Sequence, residues 1–93
     1  MKLVLSRLAL AELDAILAYI AERSPLGAAQ VEARVRRAFA HIARYPKAAE
    51  QVAQRPGVRR LPLSRYPYVI YYEIGAKEIT ILRILHGARR LPW

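Results

Sequence analysis

Along the 93-residue chain the spacing of apolar positions changes period twice, and each change marks a boundary. Residues 2–6, Lys-Leu-Val-Leu-Ser, alternate weakly and predict a short first strand. From Arg7 to Arg23 the apolar residues Leu10, Leu13, Ile16, Leu17 and Ile20 recur at intervals of three and four, which is one face of a helix. Ser24-Pro25 interrupts that pattern, because serine caps a following helix and proline fits its first turn. A second helix is predicted to about Tyr45, with Ala28, Val31, Val35, Phe39 and Ile42 on its inner stripe and Pro46 ending it. So short a link predicts two antiparallel helices, a helical hairpin.

Residues 46–57, PKAAEQVAQRPG, read as loop with a turn of helix, closed by Pro56-Gly57. The period then shifts to that of strands at 58–63, 66–74 and 78–86, linked by Ser64-Arg65 and by the hairpin turn Gly75-Ala76-Lys77. The expected fold is α+β: a single small domain over 1–93, ordered β-α-α-β-β-β, with the helical hairpin on one face of a four-stranded, mainly antiparallel sheet. Strict alternation in the last strand puts Ile79, Ile81 and Leu85 on one face with Arg83, and Leu82 and Ile84 on the other with Thr80 and His86. Both faces are then partly apolar, while two helices cover only one. Either a partner finishes the burial of the second face, or long Arg and Tyr side chains shield it.

The hydrophobic fraction of 55% supports a folded chain, and the length allows one modest core. No cysteine is present, which excludes disulfides, thiolate metal sites and cysteine nucleophiles. Arg7 and Glu12 interrupt the N-terminal apolar run before a signal segment can form, so the expected location is the cytoplasm. Charge changes the picture most. Sixteen Lys and Arg stand against seven Asp and Glu, for a net charge of +9, and thirteen of the cations are arginine. Residues 55–93 carry eight cations and two anions, against eight and five in residues 1–54. Such a chain seeks an anionic partner, either nucleic acid or an acidic protein, because the guanidinium fork matches phosphate and carboxylate.

Catalytic constellations are thin. His41 and His86 fall on different elements, metal-ligand spacing is missing, Asp14 is the only aspartate, and the four glycines are too dispersed to cradle a phosphate. No metal or cofactor is expected. What remains is Arg59, Arg60, Arg65, Arg83, His86, Arg89 and Arg90 on or beside the sheet, interleaved with tyrosines and ending in Trp93. Such a group suits RNA or protein recognition, and if it converged it could cleave RNA without a metal, a cation stabilising the phosphorane while histidine or tyrosine moves a proton. A second stripe, Arg34, Arg37, His41 and Arg44, lies along the second helix; a solvated face is its simpler reading. Gly87 is expected to let the chain turn off the last strand, bringing Arg89 and Arg90 near Arg60 and Arg83 with Trp93 anchoring the end.

The segments VRRLPLSRYPYVIYYEI and ITILRILHGARRLPW, preceded by a strand and a helical hairpin, resemble the ParE branch of the RelE/ParE toxin superfamily over almost the whole chain. The resemblance implies the toxin of a bacterial type II toxin–antitoxin pair, bound in a hetero-oligomer by a small acidic antitoxin of the ParD kind. RelE-type members cut messenger RNA on the ribosome, whereas ParE-type members poison DNA gyrase. RelE-like ribonucleases tend to place a basic residue where Val69 stands here, and a tyrosine on an extension that this chain lacks beyond Trp93, whereas Arg60 and Arg89 fall near other basic positions of that site. The expectation is therefore a nonenzymatic gyrase inhibitor; the alternatives are a ribosome-dependent endoribonuclease using Arg60, His86 and Arg89, and a nontoxic basic interaction module. The expected toxic surface is Arg59, Arg60, Arg65, Arg83, His86, Arg89, Arg90 and Trp93. The expected antitoxin surface is Leu13, Leu17, Arg34, Arg37, His41, Arg44 and Tyr71.

Overall fold

Ser24 makes the helical hairpin as tight as a hairpin can be. In the computed structural model, in which residues 1–87 are described, α1 (Arg7–Arg23) and α2 (Pro25–Arg44) share this single linking residue. Its backbone N–H closes α1 on the Ile20 carbonyl at 2.8 Å, and its hydroxyl accepts the Gly27 N–H of α2 at 2.9 Å. Serine and the following proline thus satisfy groups that both helix ends would otherwise leave unpaired.

The strands are β1 (Lys2–Leu5), β2 (Glu50–Gln51), β3 (Val58–Pro62), β4 (Tyr68–Ile74) and β5 (Glu78–His86). They form one five-stranded sheet in the order β1-β5-β4-β3-β2, with β1 parallel to β5 and the other pairs antiparallel. This is the expected α+β architecture with one strand more. Residues 46–57 contribute β2 where a loop with a helical turn was expected, and the link between β3 and β4 runs over Leu63–Pro67, longer than Ser64-Arg65 alone. No helix among the described residues is long and apolar enough to cross a membrane.

The main core lies between the hairpin and the sheet: Val31, Val35, Ala38 and Ile42 of α2 pack with Ile70, Tyr72, Ile79, Ile81 and Ile84. On α1 the fully buried position is Ala9, whose small side chain lets the helix approach the sheet. Leu10, expected on the inner stripe, is 50% exposed, as is Leu8. Strict alternation in the last strand also fails. Tyr71 opposes Arg83 and Tyr72 opposes Ile81, so Leu82 is an extra residue, a β-bulge. After it the faces exchange, and Ile84 joins Ile79 and Ile81 in the main core while Leu85 turns away.

Leu85 enters a second, smaller cluster with Val52, Val58, Val69 and Tyr71 on the opposite face. Val52, in the turn after β2, completes it: its N–H donates to the Val58 carbonyl at 2.8 Å, and its carbonyl accepts the Arg55 N–H at 3.2 Å. The second face is therefore closed by the chain itself around these five residues. Gly87 does not need glycine's freedom; positive φ among the described residues is confined to Gly57 at 91° and Arg65 at 73°. The Gly87 N–H instead donates to the Pro67 carbonyl at 2.6 Å, which ties the end of β5 to the β3–β4 turn.

Candidate functional site

Strand register decides which cations stand together. Across β2, β3, β4 and β5 it aligns Glu50, Arg60, Tyr71 and Arg83 in one row, the row of Tyr71 lying on the face away from the helices. Arg60 is half-buried there and makes no hydrogen bond or ion pair to any described residue. Tyr71, expected to meet a partner, is 5% exposed.

Arg83 has a different fate. Because β1 ends at Leu5, the second half of β5 has an open edge on that side, and Glu12 of α1 fills it. The Glu12 carboxylate accepts Arg83 Nε at 3.1 and 3.0 Å and Arg83 Nη2 at 2.7 Å, and it takes the Ile84 backbone N–H at 3.0 Å. The two side chains are 12% and 13% exposed, so this is a largely desolvated, bidentate clamp. Ser6 caps the same edge one step earlier, its hydroxyl donating to the Leu82 carbonyl at 3.0 Å.

Arg59, one residue before Arg60, points to the helix side. Its guanidinium donates to the carbonyls of Lys47 at 3.0 Å and Ala49 at 2.7 Å. Beside it the Tyr72 hydroxyl donates to the Pro46 carbonyl at 2.7 Å. Together they staple the segment after α2 onto the sheet. Burial pushes the Tyr72 phenol above its ordinary value of 10.0, against the opposing pull of the Arg59 cation and the Ala49 backbone.

His86 is exposed at the end of β5, opposite Tyr68, with the two rings edge to face at 5.9 Å. It lines a cavity of about 230 Å³ together with Glu12, Ala15, Ile16, Tyr68, Ile84 and Leu85. That cavity opens on the helix side of the sheet, so His86 and Arg60 lie on opposite faces. Arg65 is exposed on the β3–β4 turn. Arg89, Arg90 and Trp93 lie outside the described residues. No group of three or more His, Cys, Asp or Glu gathers among the described residues.

On the helices, Arg37, His41 and Arg44 are exposed and Arg34 is half-buried. His41 and Arg44 flank the Tyr45 ring at 5.4 and 5.5 Å. Leu13 and Leu17 are half-buried against the main core and present only part of their surface. The exposed apolar area of the hairpin belongs to Leu10, expected on the inner stripe and 50% exposed, and to Leu8 at 50%, Tyr19 at 57% and Leu26 at 69%, which no pattern in the sequence had marked. Glu12 was missed as well; it is one of three carboxylates on α1, with Asp14 and Glu22, and nothing in the local sequence distinguishes it as the one that meets β5.

Comparison with known proteins places this geometry. Residues 3–91 match the family model described as ParE toxin of type II toxin-antitoxin system, parDE. The chain is 38% identical to "Putative toxin Y4kP" of Sinorhizobium fredii, over 90% of this chain and 85% of that protein. It is 37% identical to "Toxin RelE2" of Caulobacter vibrioides, over 87% and 89% respectively. Among solved structures, the "Chromosomal ParDE TA system from P. aeruginosa" superposes with a TM-score of 0.73 at 31% identity, covering 92% of this chain and 95% of that one. With the overall fold and the sequence in agreement over nearly the full length, this chain belongs to the ParE toxin family of type II toxin–antitoxin systems.

Proposed function

We propose that this toxin acts without catalysis, by binding and poisoning DNA gyrase, and that a small acidic antitoxin of the ParD kind neutralises it in the cytoplasm. The observation that supports the choice of target is the separation of Arg60 from His86 by the thickness of the sheet. Metal-free RNA cleavage needs a cation and a proton-transfer group within hydrogen-bond reach of one phosphate. Arg59 and Arg83, two further cations of the expected toxic surface, are engaged by carbonyls and by Glu12. A second reading keeps Arg60, His86 and Arg89 as parts of a ribosome-dependent ribonuclease, favoured by the 37% identity to a relative named RelE2.

The antitoxin would lie along the outer hairpin, its carboxylates meeting Arg34, Arg37, His41 and Arg44 and its apolar residues covering Leu10, Tyr19 and Leu26, beside Leu13 and Leu17. The toxic surface would then comprise Arg60, Arg65, His86, Arg89, Arg90 and Trp93. Purified protein is added to gyrase with supercoiled plasmid, and in parallel to translating ribosomes with end-labelled message. Gyrase-dependent double-strand breaks support the proposal; codon-phased cuts in the message transfer it to the second reading; neither result leaves a nontoxic interaction module. Replacing Arg89 and Arg90 by alanine should abolish growth inhibition and leave antitoxin binding intact.

A further inference from the structure

Arg65 holds a φ of 73°, in the left-handed region that glycine and asparagine occupy easily and an arginine does not. It does so on a rigid support. The β3–β4 turn is closed by the Leu63 N–H donating to the Tyr68 carbonyl at 2.9 Å, Leu63 is 4% exposed, and Tyr66 packs against the main core. Pro67 restricts Tyr66 to extended angles and fixes its own, so the tip cannot relax easily around Arg65. The side chain itself is exposed and makes no hydrogen bond or ion pair to any described residue. Glycine here would relieve the backbone, and no hydrogen bond or ion pair of the arginine to a described residue offsets the strain.

Its surroundings say what such an arginine would meet. From Val58 to Tyr72 the chain contains Arg59, Arg60 and Arg65 and no acidic residue. The Gly87–Pro67 hydrogen bond holds the exit of β5 against this turn. Backbone strain that persists at an exposed cation without a hydrogen-bond or ion-pair partner among the described residues is a mark of function, since the rest of the fold has to impose it.

We infer that Arg65 is a preorganised contact for a nucleic-acid phosphodiester, displayed by the strained β3–β4 turn. The inference goes beyond the choice of gyrase as target, because the contact can be read on DNA alone. An arginine held on a rigid tip forfeits little rotational freedom on binding, and its fork suits phosphate oxygens. A phosphodiester is favoured over a carboxylate partner because the whole molecule carries a charge of +9 and this stretch has no compensating anion.

The test uses the full-length chain, Arg65→Gly and Arg65→Asn variants, and Arg65→Lys as the charge-preserving control. Affinity for a short fluorescent DNA duplex is measured by anisotropy across a salt series, with thermal melts alongside. Loss of one phosphate contact should weaken binding roughly eightfold at 0.1 M salt and reduce the slope of log affinity against log salt by about 0.9. Arg65→Gly and Arg65→Asn should show both effects while melting at or above the wild-type temperature, and Arg65→Lys should keep the slope. Unchanged affinity and slope in folded variants would overturn the proposal and reduce Arg65 to a turn residue. Lower melting temperatures in both variants would overturn the strain premise. A loss confined to binding of poly-glutamate, with DNA binding intact, would overturn it in favour of a carboxylate partner.

Discussion

Replacing Glu12 by alanine removes the acceptor of three hydrogen bonds from Arg83 and one from the Ile84 N–H, and it leaves a guanidinium that is 13% exposed without its counter-charge. Breaking a buried ion pair on one side costs about 3–5 kcal/mol. The residual exposure of the pair lets water screen the orphaned cation in part, so the lower end, about 3 kcal/mol, is expected. For a domain of this size each kcal/mol moves the melting temperature by about 4–8 °C, so Glu12→Ala should melt roughly 12–24 °C below wild type. Glu12→Gln keeps an acceptor for Ile84 and should fall between. Replacing both partners by apolar residues of similar volume, Glu12→Leu with Arg83→Met, should recover most of the loss, because it removes the charges together. The assay is a double-mutant cycle by urea unfolding, with thermal melts as a check. If Glu12→Ala melts within 4 °C of wild type, or the cycle gives a coupling below about 0.5 kcal/mol, the clamp is an incidental surface pair and the account of the β5 edge is wrong. Glu12 also blocks an open strand edge, so the alanine variant should aggregate faster at equal unfolded fraction.

Tyr72→Phe removes the bond to the Pro46 carbonyl and should cost about 1 kcal/mol by urea unfolding at neutral pH. Because burial raises the Tyr72 pKa above 10.0, its neutral form is favoured in the fold; that stability is complete below pH 10 and is lost as pH rises through the folded value, so wild type should lose more stability than Tyr72→Phe above about pH 10. Gly57→Ala meets no atom within 4 Å, yet φ is 91°, so a loss of about 1 kcal/mol from backbone strain alone should appear in thermal melts. Reversing charge at Arg34 and Arg37 should slow antitoxin association and flatten its salt dependence in stopped-flow or surface-binding measurements; unchanged rates would mean that the α2 stripe is only solvated.

Much of the architecture was legible because it rests on local periodicity. The predicted helix over 7–23 and the predicted strand over 78–86 coincide with α1 and β5, and the second helix ends one residue before Tyr45. Ser24-Pro25 carried its own stereochemistry. Pairings between distant residues were not legible. The bulge at Leu82 arises from the register of β5 against β4, and no local signal in ILRILH announces it; yet it exchanges the faces of Ile84 and Leu85. The strand of two residues at Glu50–Gln51 exists because β3 offers an edge, which PKAAEQVAQRPG does not record. Val52 beyond it joins Tyr71 in the cluster on the face that was expected either to be finished by a partner or to be shielded by long Arg and Tyr side chains.

For the candidate site the same division applies to individual arginines. A net charge of +9 says that the molecule seeks anions, but it cannot say which cations are already satisfied. Arg59 and Arg60 are neighbours in sequence and alternate across the sheet, so one is bound to the Lys47 and Ala49 carbonyls while the other stays without a partner among the described residues. Arg83 lies in register with Tyr71 beside Arg60 and is nonetheless engaged by a carboxylate 71 positions away in the chain. A scan that scored only growth inhibition would group all three. Arg59→Ala and Arg83→Ala should lose toxicity together with melting temperature, because each leaves buried acceptors or a buried carboxylate unpaired. Arg60→Ala removes no hydrogen bond or ion pair to a described residue, so a loss of toxicity there should come with little loss of stability. Melts run beside the growth assay decide it: a drop in stability for Arg60→Ala as large as that for Arg83→Ala would mean that the free cation of the row has been misassigned.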